Sequence, residues 1–334
     1  MGLNHGAFVM KGACMRAQKR KSAVAWLSVS SNAVLVLAKL TVGLLIGSVA
    51  VVSEAIHSGI DLTASVIALI AVRRSGRPPD EAHPFGHGKV ENLSGAVEAL
   101  LIFAAAAWIV VEAVSRLLHA EPLESPGLGV LVMVASSVVN LLVSRLLFKV
   151  GRETESVALQ ADGWHLRTDV YTSAGVMVGL LLIMLGRRML PDVGLDWIDP
   201  VAGLAVALLI VRAAYRVTIH AAKDLLDTAL SDEEVWIRAH IGGLAPTVRG
   251  YHKLRTRKAG NVRFVDLHLF AQADLSLEAA HGIADAVEKA IEDRFPGSSV
   301  TVHMEPCDGV CTPVCVKDCL LGEAERRDAR RGGG

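Results

Sequence analysis

The sequence predicts an all-α membrane domain of six helices, followed by a smaller C-terminal α+β domain that lies in water. Three observations support this fold class. Of the 334 residues 52% are hydrophobic, and the mean hydropathy of +0.42 is too high for an ordinary soluble protein. Charged residues, 20% of the chain, are sparse before about residue 220 and dense after it. Six apolar stretches before that point are each long enough to cross a bilayer of about 30 Å.

Basic residues between the predicted spans indicate which loops face the cytoplasm, because cytoplasmic loops are enriched in Lys and Arg. The N-terminal segment, the second loop and the fourth loop carry clusters of them, whereas the first loop has none. Both termini are therefore expected to be cytoplasmic in a multi-pass protein of the inner or plasma membrane. Met1–Lys21 is polar and basic and lacks the apolar core of a signal peptide. The predicted spans are 25–47, 50–72, 93–117, 127–148, 168–186 and 198–218.

The part of the chain after residue 219 is predicted to form one folded domain and a tail. Ser231-Asp-Glu-Glu is typical of a helix start, since a capping hydroxyl and acidic side chains stabilise the first turn. The order αββαβ favours a ferredoxin-like α+β domain of about 80 residues. The predicted helices are 231–243 and 276–294, and the predicted strands are 251–257, 262–271 and 299–304.

Four segments follow from these patterns. We expect a cytoplasmic N-terminal tail, a membrane domain, a cytoplasmic α+β domain and a cysteine-bearing tail whose composition predicts disorder. Their predicted bounds are 1–22, 23–222, 223–306 and 307–334.

An imidazole and a carboxylate lie four residues apart in two of the apolar stretches, as His57 with Asp61 and as His165 with Asp169. On a helix this spacing places both side chains on one face. Ionisable groups in a membrane are costly, and they commonly mark an ion path or a proton relay. One such pair could be a structural hydrogen bond between helices. Two pairs supply two nitrogens and two oxygens, a complete tetrahedral set for a small cation such as zinc.

Other polar residues lie within the predicted spans. For most of them we expect hydrogen bonds between helices, or a position near a helix end from which the side chain reaches water. Glu54 differs, because positions 54, 57 and 61 share one helical face. Asp162 lies one turn before His165, where it could attract cations or cap the helix start. The remaining members of this group are Asn32, Lys39, Glu98, Asn140 and Asp199.

A second cluster of metal-binding side chains lies in the loop between the second and third predicted spans. Asp80, His83 and His87 could converge on one cation, because proline and glycine residues bend the backbone between them. Two histidines near a membrane surface could equally be solvated.

The α+β domain carries five of the twelve histidines of the chain. Any one of them could be an ordinary surface or core side chain. Their clustering beside a carboxylate nevertheless predicts a metal site in this domain. The members are His240, His252, His268, His281, His303 and Glu305.

Four cysteines recur at intervals of four residues after the last predicted strand. Four thiolates can hold zinc or a softer ion. The spacing is not that of a CxxC zinc knuckle, and Pro313 argues against one continuous helix. Free or redox-active thiols are the competing interpretation. The residues are Cys307, Cys311, Cys315 and Cys319.

Together these motifs resemble those of the cation diffusion facilitator family of divalent-metal transporters, over about residues 20 to 306. The motifs stand in the order typical of the family. They are Ser-Glu-Ala-Ile-His57-Ser-Gly-Ile-Asp61-Leu, His83-Pro-Phe-Gly-His87-Gly-Lys-Val-Glu, Ala161-Asp-Gly-Trp-His165-Leu-Arg-Thr-Asp169-Val, Phe264-Val-Asp-Leu-His268-Leu and Val300-Thr-Val-His303-Met-Glu305-Pro.

The resemblance implies a homodimer of six-helix subunits, each with a cytoplasmic domain similar to a metallochaperone. His57, Asp61, His165 and Asp169 would form the transport site, and Asp80, His83 and His87 a peripheral one. The cytoplasmic, dimer-stabilising site would use His252, His268, His281, His303 and Glu305, and His240 has no counterpart. Lys89 and Asp227 match positions that pair between subunits in related bacterial transporters. The cysteine-bearing tail lies outside the family pattern.

The function expected from this resemblance is efflux of cytoplasmic Zn2+, or of a similar divalent ion, in exchange for protons. Many bacterial iron and zinc transporters of the family carry Asp where this chain has His57, and a set of two His and two Asp resembles the zinc-selective members. One alternative is an exporter mainly for Fe2+, Cd2+, Co2+ or Ni2+, since these ions overlap in ligand preference. Another is a membrane-anchored metal sensor or chaperone.

Two further classes of function are not favoured by the sequence. An enzyme is not expected, because the HExxH arrangement of metalloproteases is absent and no nucleophile stands beside a base. The formal net charge of +0 gives no indication of nucleic-acid binding.

Overall fold

The computed structural model describes residues 4–46, 49–118, 128–189, 198–311 and 313–331. The chain divides into two compact units. The membrane unit is Met15–Leu225, and the second unit combines Leu226–Gly334 with Met1–Cys14.

The membrane unit is built from six helices that follow one another along the chain. Each of the six predicted spans lies largely within one of them. The first helix begins well before its predicted span, so the segment predicted as an N-terminal tail is helical. It contains no proline and is rich in Ala, Met, Lys and Arg, which favour helix. The helices are α1 Asn4–Ile46, α2 Val49–Ser75, α3 Lys89–Leu118, α4 Leu128–Glu153, α5 Val157–Met189 and α6 Ile198–Leu225.

Among the described residues, five helices are long and apolar enough to cross a membrane, which confirms a membrane-spanning helical domain. The span predicted at 168–186 is helical within α5, but α5 does not reach the same hydropathy in its described part. The described side chains of α5 end near residue 178, so they include the charged first half, with Asp162, Arg167 and Asp169, and leave out most of the apolar second half. The five apolar segments are Met15–Leu45, Ala55–Ser75, Lys89–Ser115, Val134–Glu153 and Pro200–Leu225.

Small side chains and a few large ones fill the interior of the membrane unit. Ala64 and Ala68 of α2 are fully buried, and such small residues let helices approach closely. Leu147, Leu159 and Leu166 are also fully buried and belong to one apolar cluster that joins α4 and α5. Large apolar side chains elsewhere point outward, as expected for helices that face lipid.

A buried ion pair ties α1 to α3. Lys21 Nζ donates to Glu91 Oε1 at 2.6 Å, and the two side chains are 3% and 1% exposed. Ser75 of α2 donates to the same oxygen at 2.5 Å, and Ser156, just before α5, donates to the other oxygen. The carboxylate therefore fixes neighbouring ends of several helices to one another, with its charge compensated and both oxygens hydrogen-bonded.

We expect Lys21→Ala to lower the free energy of unfolding by about 3 kcal/mol, because it leaves a buried carboxylate without its counter-charge. The measurement is the thermal unfolding midpoint of the purified protein in detergent. Arg20→Ala is the matched control, since its ion pair with Glu153 is exposed and should contribute less than about 1 kcal/mol. Equal midpoints for the two variants would contradict the prediction.

The second unit contains the predicted α+β domain. Its sheet has the strand order β1-β2-β3, with β1 antiparallel to β2 and β2 parallel to β3. Leu267 and Leu269 of the central strand point into the core, where they pack with Ile291 and Ile237 of the helices. The predicted order αββαβ is confirmed. The elements are α7 Ser231–Gly242, β1 Val248–Ala259, β2 Val262–Gln272, α8 Leu277–Arg294 and β3 Ser299–Cys307.

The tail after β3 was expected to be disordered, and this expectation is wrong for its described residues. Two short helices follow, α9 Pro313–Lys317 and α10 Glu323–Arg331. Between them the backbone N–H of Leu320 donates to the carbonyl of Arg249 in β1 at 2.9 Å. Leu321 is 7% exposed. Burial of two leucines and pairing with the open edge of β1 compensate for the polar composition of the segment.

Candidate metal centres

The four ligands predicted for the membrane site come together between α2 and α5. One ligand atom each of His57, Asp61 and Asp169 lies within 4.8 Å of the others. His165 Nε2 lies 3.1 Å from Asp61 Oδ1. The i, i+4 spacing in each helix places each His–Asp pair on one face of its helix. The two helices pack so that these faces are turned towards each other.

The membrane site is buried on one side and open on the other. Asp61 and His165 are buried, Asp169 is half-buried and His57 is exposed. Nδ1 of His165 is buried without a hydrogen-bond partner among the described residues. Asn140 of α4 donates through Nδ2 to Asp169 Oδ2 at 3.4 Å, a bond that orients this carboxylate. His57, Asp61 and Asp169 surround one point, and His165 adjoins it through Asp61, a donor set of two imidazoles and two carboxylates that suits a small divalent cation.

Asp162 was expected from the sequence either to attract cations or to cap the start of a helix, and the structure places it in a different environment. It lies inside α5 and is fully buried, so it does not cap the helix start. Ser65 donates to Asp162 Oδ1 at 3.0 Å, and Asn32 donates to Ser65 Oγ at 2.7 Å. Positions 162, 165 and 169 share one helical face. This spacing in the sequence is the signal from which the proximity of Asp162 to the candidate ligands could be predicted.

Three of the other polar residues in the spans do bond between helices, as predicted. They are Asn32 with Ser65, Lys39 with Ser58, at 2.7 Å in both cases, and Asn140 with Asp169. Glu98 instead accepts from Ser94 of its own helix, at 3.4 Å, and is fully buried. The side chains of Glu54 and Asp199 lie outside the described residues.

The loop cluster also comes together, between α2 and α3. His83 Nδ1 lies 3.2 Å from Asp80 Oδ1, and His87 Nε2 lies 3.3 Å from Asp80 Oδ2. Gly86 has a φ of +82°, a left-handed conformation that lets the chain turn between the two histidines. The backbone N–H of His83 donates to Asp80 and, with smaller effects of the two imidazoles, lowers the pKa of this carboxyl. Asp80 therefore presents an ionised carboxylate to both rings.

In the α+β domain the sheet register assembles a third cluster. His268 of β2 pairs with His252 of β1 and with His303 of β3, so three imidazoles form a row across the sheet. Glu305 Oε1 lies 2.6 Å from His268 Nδ1, and Glu305 Oε2 lies 3.0 Å from His252 Nε2. The hydrogen bond from His268 lowers the pKa of Glu305, and a weaker contribution from His252 adds to it. A bulge in β1 follows His252 directly, where Lys253 has a φ of +51°.

The row is not equally close to the carboxylate along its length. Ligand atoms of His252, His268 and Glu305 lie within 4.8 Å of one another. His303 is more distant, with Nε2 3.8 Å from Glu305 Oε1, and it is largely exposed. A cation bound by the first three residues would therefore have His303 beside it at the open side.

His281 does not join this cluster within the described chain, so its prediction as a ligand with the other four is not supported here. It lies on the solvent side of α8, is largely exposed and contacts Asp285 at 3.6 Å. The helix turns this side chain away because the opposite face, with Val287 and Ile291, fills the core. His240 stacks on Trp236 with ring centroids 5.1 Å apart, in agreement with its lack of a counterpart.

The predicted charge pair between Lys89 and Asp227 stays a prediction. Asp227 lies in the second unit, where it contacts Arg257 at 3.7 Å. Lys89 is the first residue of α3 in the membrane unit.

Ligand pairs opposed inside a helical membrane bundle, together with an α+β domain that carries its own ligands, define a membrane protein that handles divalent metal ions. Residues 25–226 match the family model of the cation efflux transmembrane domain. Residues 230–307 match that of the cation efflux protein, cytoplasmic domain. The chain belongs to the cation diffusion facilitator family, as its motifs predict.

Individual relatives agree with this assignment. The chain is 37% identical over 264 residues to the cation-efflux pump FieF of Cronobacter sakazakii, which covers 79% of this chain and 85% of the relative. It is 36% identical over 265 residues to FieF of Klebsiella pneumoniae, with coverage of 78% and 84%. A solved structure of CzrB in its Zn form is 36% identical and covers 26% of this chain and 98% of that one, with a TM-score of 0.24.

The family assignment makes the chain a multi-pass membrane transporter for the efflux of divalent metal cations, and not a catalyst.

We expect Glu305→Gln to weaken zinc binding by the α+β domain by about 10-fold to 100-fold, because the carboxylate contacts two of the candidate ligands. The measurement is a competition titration of the full-length protein with a chromogenic zinc chelator. His281→Ala is the control and should leave the titration unchanged, since this histidine lies outside the cluster of the same chain. A loss in both variants would indicate that His281 binds the metal from elsewhere, for example across a dimer.

Proposed function

We propose that this protein exports Zn2+ from the cytoplasm in exchange for protons, and that the transport site is His57, Asp61, His165 and Asp169. The observation that carries the proposal is the meeting of these side chains between α2 and α5, described above. Imidazole suits zinc better than it suits manganese or magnesium, and two of the four ligands are imidazoles.

The contact between His165 and Asp61 supports proton exchange. At 3.1 Å the imidazole Nε2 and the carboxylate oxygen share one hydrogen, and a metal ion would bind through lone pairs of these same two atoms. A cation and a proton therefore compete for this position. Cytoplasmic zinc can therefore displace the proton, and a proton from the other side can displace zinc.

The remaining assignments of the proposal follow the family and the charge pattern. The protein acts as a homodimer, as its family suggests. Both termini lie in the cytoplasm, since basic residues cluster in the N-terminal segment and in the second and fourth loops. The loop cluster of Asp80, His83 and His87 is a peripheral site. The cluster of His252, His268 and Glu305 is the cytoplasmic, dimer-stabilising site.

Loss of one carboxylate tests the transport site. We expect Asp169→Asn to reduce zinc uptake into inverted membrane vesicles by about 100-fold or more, because the amide retains the shape but not the charge of the ligand. Asp293→Asn is the matched control, since this carboxylate is exposed on α8, and should transport at the wild-type rate. Both variants should elute as the wild type does in gel filtration. Undiminished uptake by Asp169→Asn would sink the proposed site.

The alternative of a membrane-anchored sensor has its own result in the same assay. An anchor needs no ligands inside its helices, so transport that survives loss of both membrane pairs would favour a sensor.

We expect His57→Asp to raise transport of Fe2+, Mn2+ and Cd2+ relative to Zn2+, because it replaces one imidazole by an oxygen ligand that favours zinc less. The measurement is uptake of each metal into proteoliposomes under a pH gradient. His240→Asp introduces the same change away from the three clusters and should keep the wild-type profile. The same profile for His57→Asp and the wild type would show that selectivity lies elsewhere.

A further inference from the structure

Four cysteines at the end of the α+β domain belong to none of the three clusters described above. All four are half-buried thiols that form no disulfide in the described chain. The first ends β3 and the third lies on α9. They are Cys307, Cys311, Cys315 and Cys319.

The segment that carries them is attached to the sheet at its far end. Cys319 forms an isolated bridge with Gly250 of β1, and the N–H of Tyr251 donates to the carbonyl of Asp318 at 3.2 Å. A Cβ at position 250 would lie 3.1 Å from this carbonyl oxygen and 3.3 Å from the Cα of Cys319. Glycine therefore permits the close approach of the two backbones, which places Cys319 at the edge of the sheet.

Sheet topology places the first and the last cysteine at the same end of the three strands. Cys307 pairs with Gln272 at the end of β2, and Gly250, which Cys319 bridges, pairs with Phe270 two residues earlier. Neighbouring strands are about 4.8 Å apart, and Cys319 lies one spacing outside β1, so its backbone and that of Cys307 on β3 are three spacings, about 14 Å, apart. The two intervening cysteines lie on the segment that crosses this end.

The thiols are close enough to influence one another. Burial raises the pKa of the Cys315 thiol, and repulsion from the other three cysteines and from Asp308 raises it further. Thiolates that repel one another in this way are stabilised together when a divalent cation enters between them.

A cavity of about 550 Å³ borders Cys307. Four acidic residues, Asp274, Asp308, Glu325 and Asp328, and one basic residue, Arg249, belong to its lining. Carboxylates around a solvent-connected cavity concentrate cations near it. The tail therefore combines soft ligands with a negatively charged approach.

We propose that Cys307, Cys311, Cys315 and Cys319 form a fourth metal site, which binds one Zn2+ or Cd2+ through four thiolates. Thiolate sulfur binds such ions at about 2.3 Å and favours them over the harder divalent ions. The cysteines are not among the described groups of ligand atoms that already lie within 4.8 Å of one another. The metal therefore assembles the site by drawing the sulfurs together, for which the Cys319 segment leaves the edge of β1 and folds towards Cys307, and each thiol releases a proton as it binds.

The test uses the reduced, metal-free, full-length protein in detergent, with Cd2+ as the only added metal. The readouts are the ultraviolet charge-transfer band of cadmium thiolate and the number of cadmium ions bound per chain. The wild type should show the band and bind one cadmium ion more than a variant with all four cysteines changed to serine. Cys14→Ser is the matched control, because it removes the fifth cysteine of the chain and should behave as the wild type.

A wild type without the charge-transfer band, or a four-serine variant that keeps it, would overturn the proposal. Cys315→Ser provides a second variant that changes the tail less, and should lose most of the band. Alkylation of the thiols, followed by mass spectrometry, gives an independent measurement. Cadmium should slow the alkylation of the four tail cysteines at least about tenfold, because a thiolate bound to a metal is protected from the reagent. An unchanged rate of alkylation would contradict the site.

These outcomes are separate from those that test transport. Asp169→Asn should lose transport and keep the thiolate band, whereas the four-serine variant should lose the band and keep transport in vesicles. Failure of either proposal can therefore be recognised without reference to the other.

Discussion

The membrane unit depends on one constraint, which is that a polar group inside a bilayer finds no water and must be satisfied by other groups of the protein. The contact of His165 with Asp61 meets this requirement between α5 and α2. Lys21 and Glu91 meet it between α1 and α3, and Ser65 with Asp162 between α2 and α5. Helix pairing and metal chemistry therefore share the same side chains. A cation that enters the site replaces a contact which otherwise contributes to helix association.

Much of this arrangement could be predicted from local spacing. The i, i+4 pairs His57 with Asp61 and His165 with Asp169 fix two ligands to one face of a helix, whatever the helix packs against. The αββαβ order follows from alternating and helical periodicities and from a turn at Ala259-Gly260-Asn261. These features can be predicted from local patterns because they depend on residues within one or two helical turns of each other, or within one hairpin.

The features that could not be predicted depend on contacts between distant parts of the chain. The side of α8 that carries His281 is settled by the packing of the opposite face on the sheet. The order of the tail results from the open edge of β1, which lies about 70 residues before Cys319 and gives no signal in the tail's composition. The environment of Asp162 likewise depends on Ser65, which lies 97 residues away along the chain.

The bulge after His252 has a mechanical consequence for the histidine row. A strand without an extra residue alternates its side chains strictly, so a shift of one position would turn the imidazole to the opposite face. The register shift lies between His252 and Arg255, on the hairpin side of the histidine, so the pairing of His252 with His268 is unaffected. The extra residue therefore divides β1 into two parts with different registers. From Arg255 on, the side chains alternate in a phase that suits the hairpin turn, and up to His252 they keep the phase that the histidine row requires.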